Sequence, residues 1–260
     1  MINRNRIHPI GVGLIFLFYL FLYMPIVVLI VFSFNAGGSG HLTTWTLKWY
    51  KALFHAPEIL HTVKNSFIVA ISTVILSITM GLALVVASAR ARFNKLSFLF
   101  YATLAIPEIV IAVGLLSFYY FFSIPLGLVA LIVAHTLIGL GYVVPTLYER
   151  IAQVPYTLTE ASLDLGASHI QTFFYVTLPL LKSSLITTAL LVFIVSFEDF
   201  SLAFFCASAE SQTLPLYLFS LIRAGSAPLV NALSSFLLLM TGFFIFIFCL
   251  FRKSKVQEMK

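Results

Sequence analysis

The chain has 260 residues, of which 61% are hydrophobic and only 9% are charged. Soluble domains carry about 25% charged residues, so this composition excludes an ordinary soluble enzyme and makes lipid the solvent for most of the chain. Lipid admits only helices and closed barrels as spanning structures. The apolar runs exceed about 18 residues and do not alternate, which predicts an all-α membrane protein. The formal charge of +6 comes from basic residues that flank these runs, as membrane orientation signals do.

Six apolar runs predict six transmembrane helices, which together form a single membrane domain over residues 1–260. The first run follows a basic N-terminus, but it is much longer than the core of a signal peptide, so we expect it to be retained as a helix. The predicted spans, in chain order, are 10–34, 66–89, 97–122, 125–148, 183–205 and 232–251.

The orientation of the spans follows from the Lys and Arg residues between them. With a cytoplasmic N-terminus, eleven of these residues fall on the cytoplasmic side and four on the other. Cytoplasmic loops are the ones that carry the basic excess. We therefore expect both termini to lie in the cytoplasm. The membrane is expected to be the cell (inner) membrane of a bacterium.

The outer connection over residues 35–65 contains the stretch WTLKWYKALFH. This pattern predicts a short amphipathic helix that lies at the membrane interface. Trp49 in this stretch has two readings: an aromatic face for an amine at the outer mouth of a pathway, and an interfacial anchor. His55 and His61 nearby lack the spacing of metal ligands, and no metal site is expected.

A polar connection over residues 149–182 is predicted to lie in the cytoplasm. Thr157 and Glu160 have the spacing of a capping box, which predicts the start of a short helix. Gly166 is the expected residue just past its end. A second capping-box spacing begins at Ser168, so the pattern predicts a helix, a glycine turn and another helix.

The first of these two helices is too short to be stable alone in water. Leu158, Ala161 and Leu165 form an apolar stripe on it, while Glu160 and Asp164 form an acidic one. The stripe needs a cover, which is either the protein's own helix bundle or a separate cytoplasmic protein. The chain contains no phosphate-binding loop, so an energy source would have to come from such a partner.

This stretch resembles the EAA loop of the membrane subunits of ABC importers, which reads E-A-A, three residues, G, nine residues, I, any residue, L-P. Ser162 stands at the second Ala and Val176 at the Ile. The residues in register are Glu160, Ala161, Gly166, Leu178 and Pro179. In that family the short helix inserts into a cleft of the ATPase subunit, which implies a coupling role for Glu160, Ala161, Asp164 and Gly166.

The resemblance extends along the chain through the runs TLKWY, IPEIVIAVGLL, SFEDFSLAFF and TLPLYLFSLIRAGSAPLVNAL. These runs look like the second permease subunit of spermidine/putrescine importers. The resemblance implies the type I importer permease fold, a pair of ATPase subunits that bind ATP and Mg, a second permease subunit, and an extracytoplasmic polyamine-binding protein. It implies no catalytic residue and no cofactor in this chain, and no nucleic-acid partner.

Three carboxylates lie inside predicted spans: Glu108 in the third, and Glu198 and Asp199 in the fifth. A charge at the bilayer centre costs about 2.5–3.5 kcal/mol on insertion scales, and no basic residue lies at matching depth in a predicted span. We therefore expect a pathway for a cation, with Ser196 on the helix face of Asp199. Adjacent helical positions diverge by about 100°, so Glu198 and Asp199 cannot both face one cavity. Alternatively, a carboxylate caps a broken helix or bonds the sister subunit.

Three function classes fit a membrane chain of this kind. The first is a transport subunit powered by a separate ATPase, for polyamines or for another small solute. The second is a secondary transporter or cation channel that uses the intramembrane acids, although inverted repeats, common in such carriers, are not evident. The third is an intramembrane enzyme, against which no nucleophile–base pair and no metal-ligand cluster stands out in the sequence.

Overall fold

A computed structural model of the chain describes residues 9–37, 43–91 and 94–258, and these residues are almost entirely helical. The α-helices are α1 (Pro9–Ser33), α2 (Lys48–Phe54), α3 (Pro57–Ala91), α4 (Asn94–Ala105), α5 (Glu108–Phe121), α6 (Leu128–Ala152), α7 (Tyr156–Asp164), α8 (His169–Thr172), α9 (Leu178–Glu198), α10 (Ser201–Cys206), α11 (Leu214–Arg223) and α12 (Ala227–Glu258). A π-helical turn, Phe173–Thr177, joins α8 to α9, and a 3₁₀ turn, Ala209–Ser211, follows α10. The chain divides into two compact units, 1–57 with 218–260, and 58–217.

The first unit contains α1, α2 and α12, and α12 packs against both of the others. The apolar side chains of α1 are exposed, as expected of a helix that faces lipid. The predicted amphipathic helix after the first span is present as α2. Ser33 at the end of α1 lies 2.7 Å from the Tyr50 hydroxyl, so hydrogen bonding fixes α2 against the end of the first span.

The second unit is built on the packing of α3, α6 and α9. Two glycines let these helices approach closely, as small residues do between membrane helices. A methyl group on Gly81 of α3 would lie 2.5 Å from a methyl of Val143 on α6. One on Gly139 of α6 would lie 3.0 Å from Ser77 and 3.3 Å from Val192 of α9. The buried side chains of this unit lie mainly on α6.

The predicted span 97–122 is two helices and not one. The chain bends by 110° between α4 and α5. Pro107 lies at the bend, and because proline has no N–H to donate to the carbonyl four residues earlier, it favours the end of α4 at this point. Glu108 therefore opens a helix instead of lying in the middle of one.

The predicted span 183–205 is also interrupted, by a break between α9 and α10. The apolar helical segment begins earlier, at His169, and ends at Glu198. Asp199 has extended backbone angles, with φ of −64° and ψ of 128°, and α10 then begins at Ser201. Pro25 and Pro145, also expected to kink their helices, lie inside α1 and α6, which continue through them.

The chain is a multi-pass membrane protein, since four described helices are long and apolar enough to cross a membrane. The number rises to five when α4 and α5 count as one bent span. These helices correspond to the first five predicted spans. The sixth, 232–251, lies within α12, whose side chains are described only as far as Gly242, so the count of six and the cytoplasmic position of both termini stay predictions.

The close approach of α3 and α6 predicts that Gly81→Ala destabilises the protein by about 1–3 kcal/mol, because the added methyl meets a stiff valine. Gly114→Ala on α5 is the matched control, since nothing lies within 4 Å of its added methyl. Alanine raises helix propensity, so this control should be neutral or stabilising by up to about 1 kcal/mol. Thermal unfolding in detergent measures both. Equal unfolding temperatures for the two variants would contradict the packing.

Candidate functional site

The site is built around Asp199, which lies where α9 ends and α10 begins. Its carboxylate accepts hydrogen bonds from the backbone N–H groups of Leu202, at 3.0 Å, and Ala203, at 3.2 Å. These are orphan donors of the first turn of α10, so Asp199 caps that helix with a side chain of favourable charge. Asp199 is only 7% exposed. One alternative raised by the sequence, a carboxylate that caps a broken helix, therefore holds for this residue.

His135 of α6 joins Asp199 to Ser196 of α9. The imidazole Nδ1 lies 2.8 Å from the Ser196 hydroxyl, and Nε2 lies 3.3 Å from a carboxylate oxygen of Asp199. Nε2 is close to the Asp199 carboxylate but is not aligned with it for a hydrogen bond. His135 is 3% exposed and Ser196 is also buried. The three side chains form one polar chain between two helices.

Glu108, the first residue of α5, completes the cluster. Its side chain and that of Asp199 line one small cavity together with His135, Ser196 and Thr73. A second cavity of about 370 Å³ shares Glu108 as a lining residue. The structure therefore brings two carboxylates together at two helix breaks. Such a concentration of acceptors and negative charge can bind a cation.

The other two predicted pathway residues do not line this small cavity. Glu198 is exposed, while its neighbour Asp199 is buried, as the angle between adjacent helical positions requires. Trp49 belongs to the other unit, where its indole N–H donates to the Asn35 carbonyl at 2.8 Å and the Lys48 ammonium lies 5.3 Å from its ring centre. These contacts hold Trp49 in place.

Sequence reasoning missed two members of the cluster. His135, a polar residue inside the fourth predicted span, forms a hydrogen bond with Ser196 and lies beside Asp199. Thr73 of α3 drew no attention, because threonine is common in membrane helices. The only signal for each was a polar residue within an apolar run. A single sequence does not show which residues meet when they lie about 60 or 120 positions apart.

The predicted helix–turn–helix in the cytoplasmic connection is confirmed. Gly166 has φ of +87°, a left-handed conformation that suits glycine. Its N–H donates to the Leu163 carbonyl at 2.9 Å, and the Ala167 N–H donates to the Ser162 carbonyl at 3.1 Å. These two bonds form a Schellman motif, so the glycine ends α7 as expected.

The two predicted capping boxes differ in outcome. The Ser168 box is present: its hydroxyl accepts from the Gln171 N–H and the Gln171 side chain accepts from the Ser168 N–H. The Thr157–Glu160 box is wrong, because α7 starts two residues too early for it, at Tyr156 after Pro155. Proline with φ of −58° already begins the turn, so no side-chain cap forms there.

The outer face of α7 is exposed. Glu160, Ala161 and Asp164 point outward, and Leu165 is 89% exposed. The inner face is fixed by Ser162, whose hydroxyl lies 3.0 Å from that of Thr172 in α8. The large exposed apolar side chains around this face are Tyr156, Leu158, Leu165, Ile170, Phe174 and Tyr175. The predicted apolar stripe is thus left uncovered by the described part of the chain, which is typical of a docking surface.

Comparison with known proteins identifies relatives along most of the chain. Residues 74–255 match the family of binding-protein-dependent transport system inner membrane components. The chain is 30% identical to the spermidine/putrescine transport system permease protein PotC of Haemophilus influenzae, over 74% of this chain and 76% of the relative. It is 30% identical to PotC of Escherichia coli K12, over 80% and 81%. Identity to the putrescine permease PotI of that organism is 29%, over 78% and 76%.

Solved structures with a similar fold include a bacterial ABC transporter involved in the import of the acidic polysaccharide alginate. The match has a TM-score of 0.71 at 17% identity and covers 94% of both chains. A second structure, of an alginate ABC transporter in complex with a pentasaccharide-bound periplasmic protein, matches with a TM-score of 0.63 at 14% identity. At these identities the match establishes the fold alone, which is that of an ABC importer permease.

The capping role of Asp199 can be separated from its charge. Asp199→Asn keeps an oxygen that accepts from the first turn of α10, whereas Asp199→Ala removes it. We expect Asp199→Ala to lower stability by about 0.5–2 kcal/mol relative to Asp199→Asn. Thermal unfolding of the two detergent-solubilised variants measures the difference. Equal stability would show that Asp199 does not hold the break.

Proposed function

The chain belongs to the family of binding-protein-dependent transport system inner membrane components, and we propose that it is one of two permease subunits of an ATP-driven importer for polyamines such as spermidine and putrescine. The observation that carries the substrate class is the pair of carboxylates, Glu108 and Asp199, which line one cavity at two helix breaks. Members of this family are inner membrane components of transport systems. In this proposal the chain does no covalent chemistry.

Polyamines are flexible chains with several ammonium groups, which cannot cross hydrocarbon without partners. Acidic groups within membrane helices are costly, and they commonly mark the path of an ion or substrate. Glu108 and Asp199 supply negative charge beside a cavity whose other lining residues are mostly apolar. That combination suits a substrate whose charged ends are separated by methylene groups.

The relatives support the same substrate class. PotC and PotI carry names that describe spermidine and putrescine transport. The structural relatives import alginate, a polyanion, but they share only 17% identity or less with this chain, and a cluster of carboxylates is a poor site for an anion. The cationic substrate is therefore the proposal that fits the site chemistry.

In this proposal, the ATPase drives transport by moving α7, which it contacts at its exposed face. A cytoplasmic ATPase pair covers the apolar side chains around Leu165 and contacts Glu160, Ala161 and Asp164. The movement passes through α8 and the π-helical turn into α9, whose far end carries Ser196 and Asp199. An extracytoplasmic polyamine-binding protein delivers the substrate, and a second permease subunit forms the other half of the path. Glu198 and Trp49 stay predicted contributors to that path.

Two other functions would use the same features differently. A related importer for another small solute would share the docking helix but would need a reason for the two acids at its helix breaks. A secondary transporter or cation channel would use Glu108 and Asp199 without an ATPase, which leaves the exposed α7 face unexplained. Isolation of the chain with a stoichiometric ATPase favours the proposal, and proton-driven uptake by this chain alone contradicts it.

The substrate class is tested by neutralising the cluster with variants of the same shape. The double variant Glu108→Gln with Asp199→Asn keeps the cap on α10 but removes both charges. We expect polyamine uptake by the assembled complex to fall about tenfold or more, because hydrogen bonds from ammonium to charged acceptors are replaced by weaker ones. Glu198→Gln, a change at the exposed neighbour, is expected to have the smaller effect.

Uptake of radiolabelled putrescine and spermidine into vesicles is the measurement, with the amount of assembled ATPase determined for each variant. Unchanged uptake by an assembled double variant would contradict a role of the cluster in the polyamine pathway.

The coupling role is tested at Gly166. Gly166→Ala forces a residue with a Cβ into the left-handed conformation and strains the end of α7 by about 1–2 kcal/mol. We expect ATP hydrolysis to lose its stimulation by the binding protein, or the ATPase to dissociate. Gly166→Asn is the matched variant, since asparagine tolerates this conformation, and it should retain more coupling. Identical stimulated ATPase rates in wild type and Gly166→Ala would contradict the coupling role.

A further inference from the structure

We propose that Thr73, Glu108 and Asp199 form a pocket for a single primary ammonium group, and that Thr73 makes the site prefer primary amines to N-methylated ones. The inference rests on the proposed function, which it narrows from polyamines in general to the form of their terminal groups. It assigns a role to Thr73, which the sequence analysis did not single out.

The first support is the state of the Thr73 side chain. Thr73 is completely buried, with 0% exposure, and it lines the small cavity beside the two carboxylates. Its hydroxyl oxygen has no hydrogen-bond partner among the described residues. The backbone carbonyl of Thr73 is already used, since it accepts from the Ser77 hydroxyl. A buried hydroxyl without a partner is uncommon, and a bound group that supplies a donor would explain it.

The second support is the match between acceptors and donors. A primary ammonium has three N–H donors and no acceptor. Five oxygen-bearing side chains line the cavity, and three of them come from different parts of the fold: Thr73 from α3, Glu108 from the start of α5, and Asp199 from the junction of α9 and α10. Asp199 already accepts from two backbone N–H groups, but an ionised carboxylate has about four acceptor sites. Each donor of the ammonium can thus find its own acceptor.

His135 and Ser196 hold this arrangement in place without taking up its acceptors. The Ser196 hydroxyl engages Nδ1 of His135, and Nε2 lies beside Asp199. His135 is therefore a positioning residue for the Asp199 carboxylate.

The size of the space indicates what kind of amine fits. The small cavity has a volume of about 10 Å³ for the centre of a water-sized group, which is room for one such group. An ammonium head is of this size, while a head with several methyl groups is not. The adjoining cavity of about 370 Å³ shares Glu108, Ile138, Tyr142 and Val195 with it and is lined mostly by apolar residues. The methylene chain of a diamine can lie there with its head in the small cavity.

A metal ion fits these residues less well than an alkylammonium. Within the described residues, no group of three or more His, Cys, Asp and Glu side chains is arranged to hold a metal. The apolar side chains that line the neighbouring cavity would not stabilise a bare ion. A single bound water would also supply a donor to Thr73, and that outcome is separated from the proposal by the experiment below.

The test compares Thr73→Val, which keeps the shape and removes the hydroxyl, with Thr73→Ser, which keeps the hydroxyl. Uptake kinetics of the assembled complex are measured with 1,4-diaminobutane and with 1,4-bis(methylamino)butane, in which one donor at each end is replaced by a methyl group. We expect Thr73→Val to raise the KM for 1,4-diaminobutane about tenfold or more. The preference for the primary diamine should fall by about the same factor. Thr73→Ser should stay within about threefold of wild type on both measures.

The change in the ratio of the two KM values between wild type and variant cancels any preference contributed by the binding protein, since that protein is the same in every assay. Thr73→Ala also lacks the hydroxyl and carries the same expectation where Thr73→Val does not assemble. An unchanged ratio in the variants without hydroxyl would overturn the inference and leave a bound water or a structural role for Thr73. Absence of diamine uptake by the wild-type complex would overturn the proposed function itself.

Discussion

The carboxylate of Asp199 at the interruption between α9 and α10 is the interaction on which the site depends. A helix cannot stop inside a membrane protein without partners for its terminal N–H and C=O groups. Asp199 provides them for the first turn of α10, through the N–H groups of Leu202 and Ala203. The charge is in turn balanced by the helix terminus, and the imidazole of His135 lies beside it. One side chain therefore stabilises the break and places negative charge beside the cavity.

A second interruption makes the cluster possible. Pro107 ends the run of backbone hydrogen bonds from α4, and the 110° bend places Glu108 at the first turn of α5. If α4 and α5 were one straight helix, Glu108 would be a single costly charge along it. The bend instead places Glu108 at the small cavity that Asp199 also lines, and it opens a second cavity lined by the residues of the break. Broken helices whose ends surround a polar site are a known way to build substrate sites within membranes.

The sequence predicted the helices better than it predicted where they break and which residues meet. Apolar runs and the glycine turn at Gly166 are local signals, so five of the predicted spans and the two short helices after the fourth span could be found from them. The break at Pro107 is not visible in the sequence, because a proline in a membrane helix is compatible with a kink and with a break. That Asp199 is buried while Glu198 is exposed depends on where α9 stops. The contacts of His135 and Thr73 depend on helix packing, which no local pattern records.

In the proposed function, the two helix breaks create a cation site from Glu108 and Asp199. A cryo-EM map of the assembled complex with bound 1,4-diaminobutane tests this most directly. We expect density for one amine end within about 3.2 Å of oxygens of both carboxylates, with α10 still capped by Asp199. Diamine density that lies beyond hydrogen-bond distance of both carboxylates, or two carboxylates separated by packed apolar side chains, would contradict it.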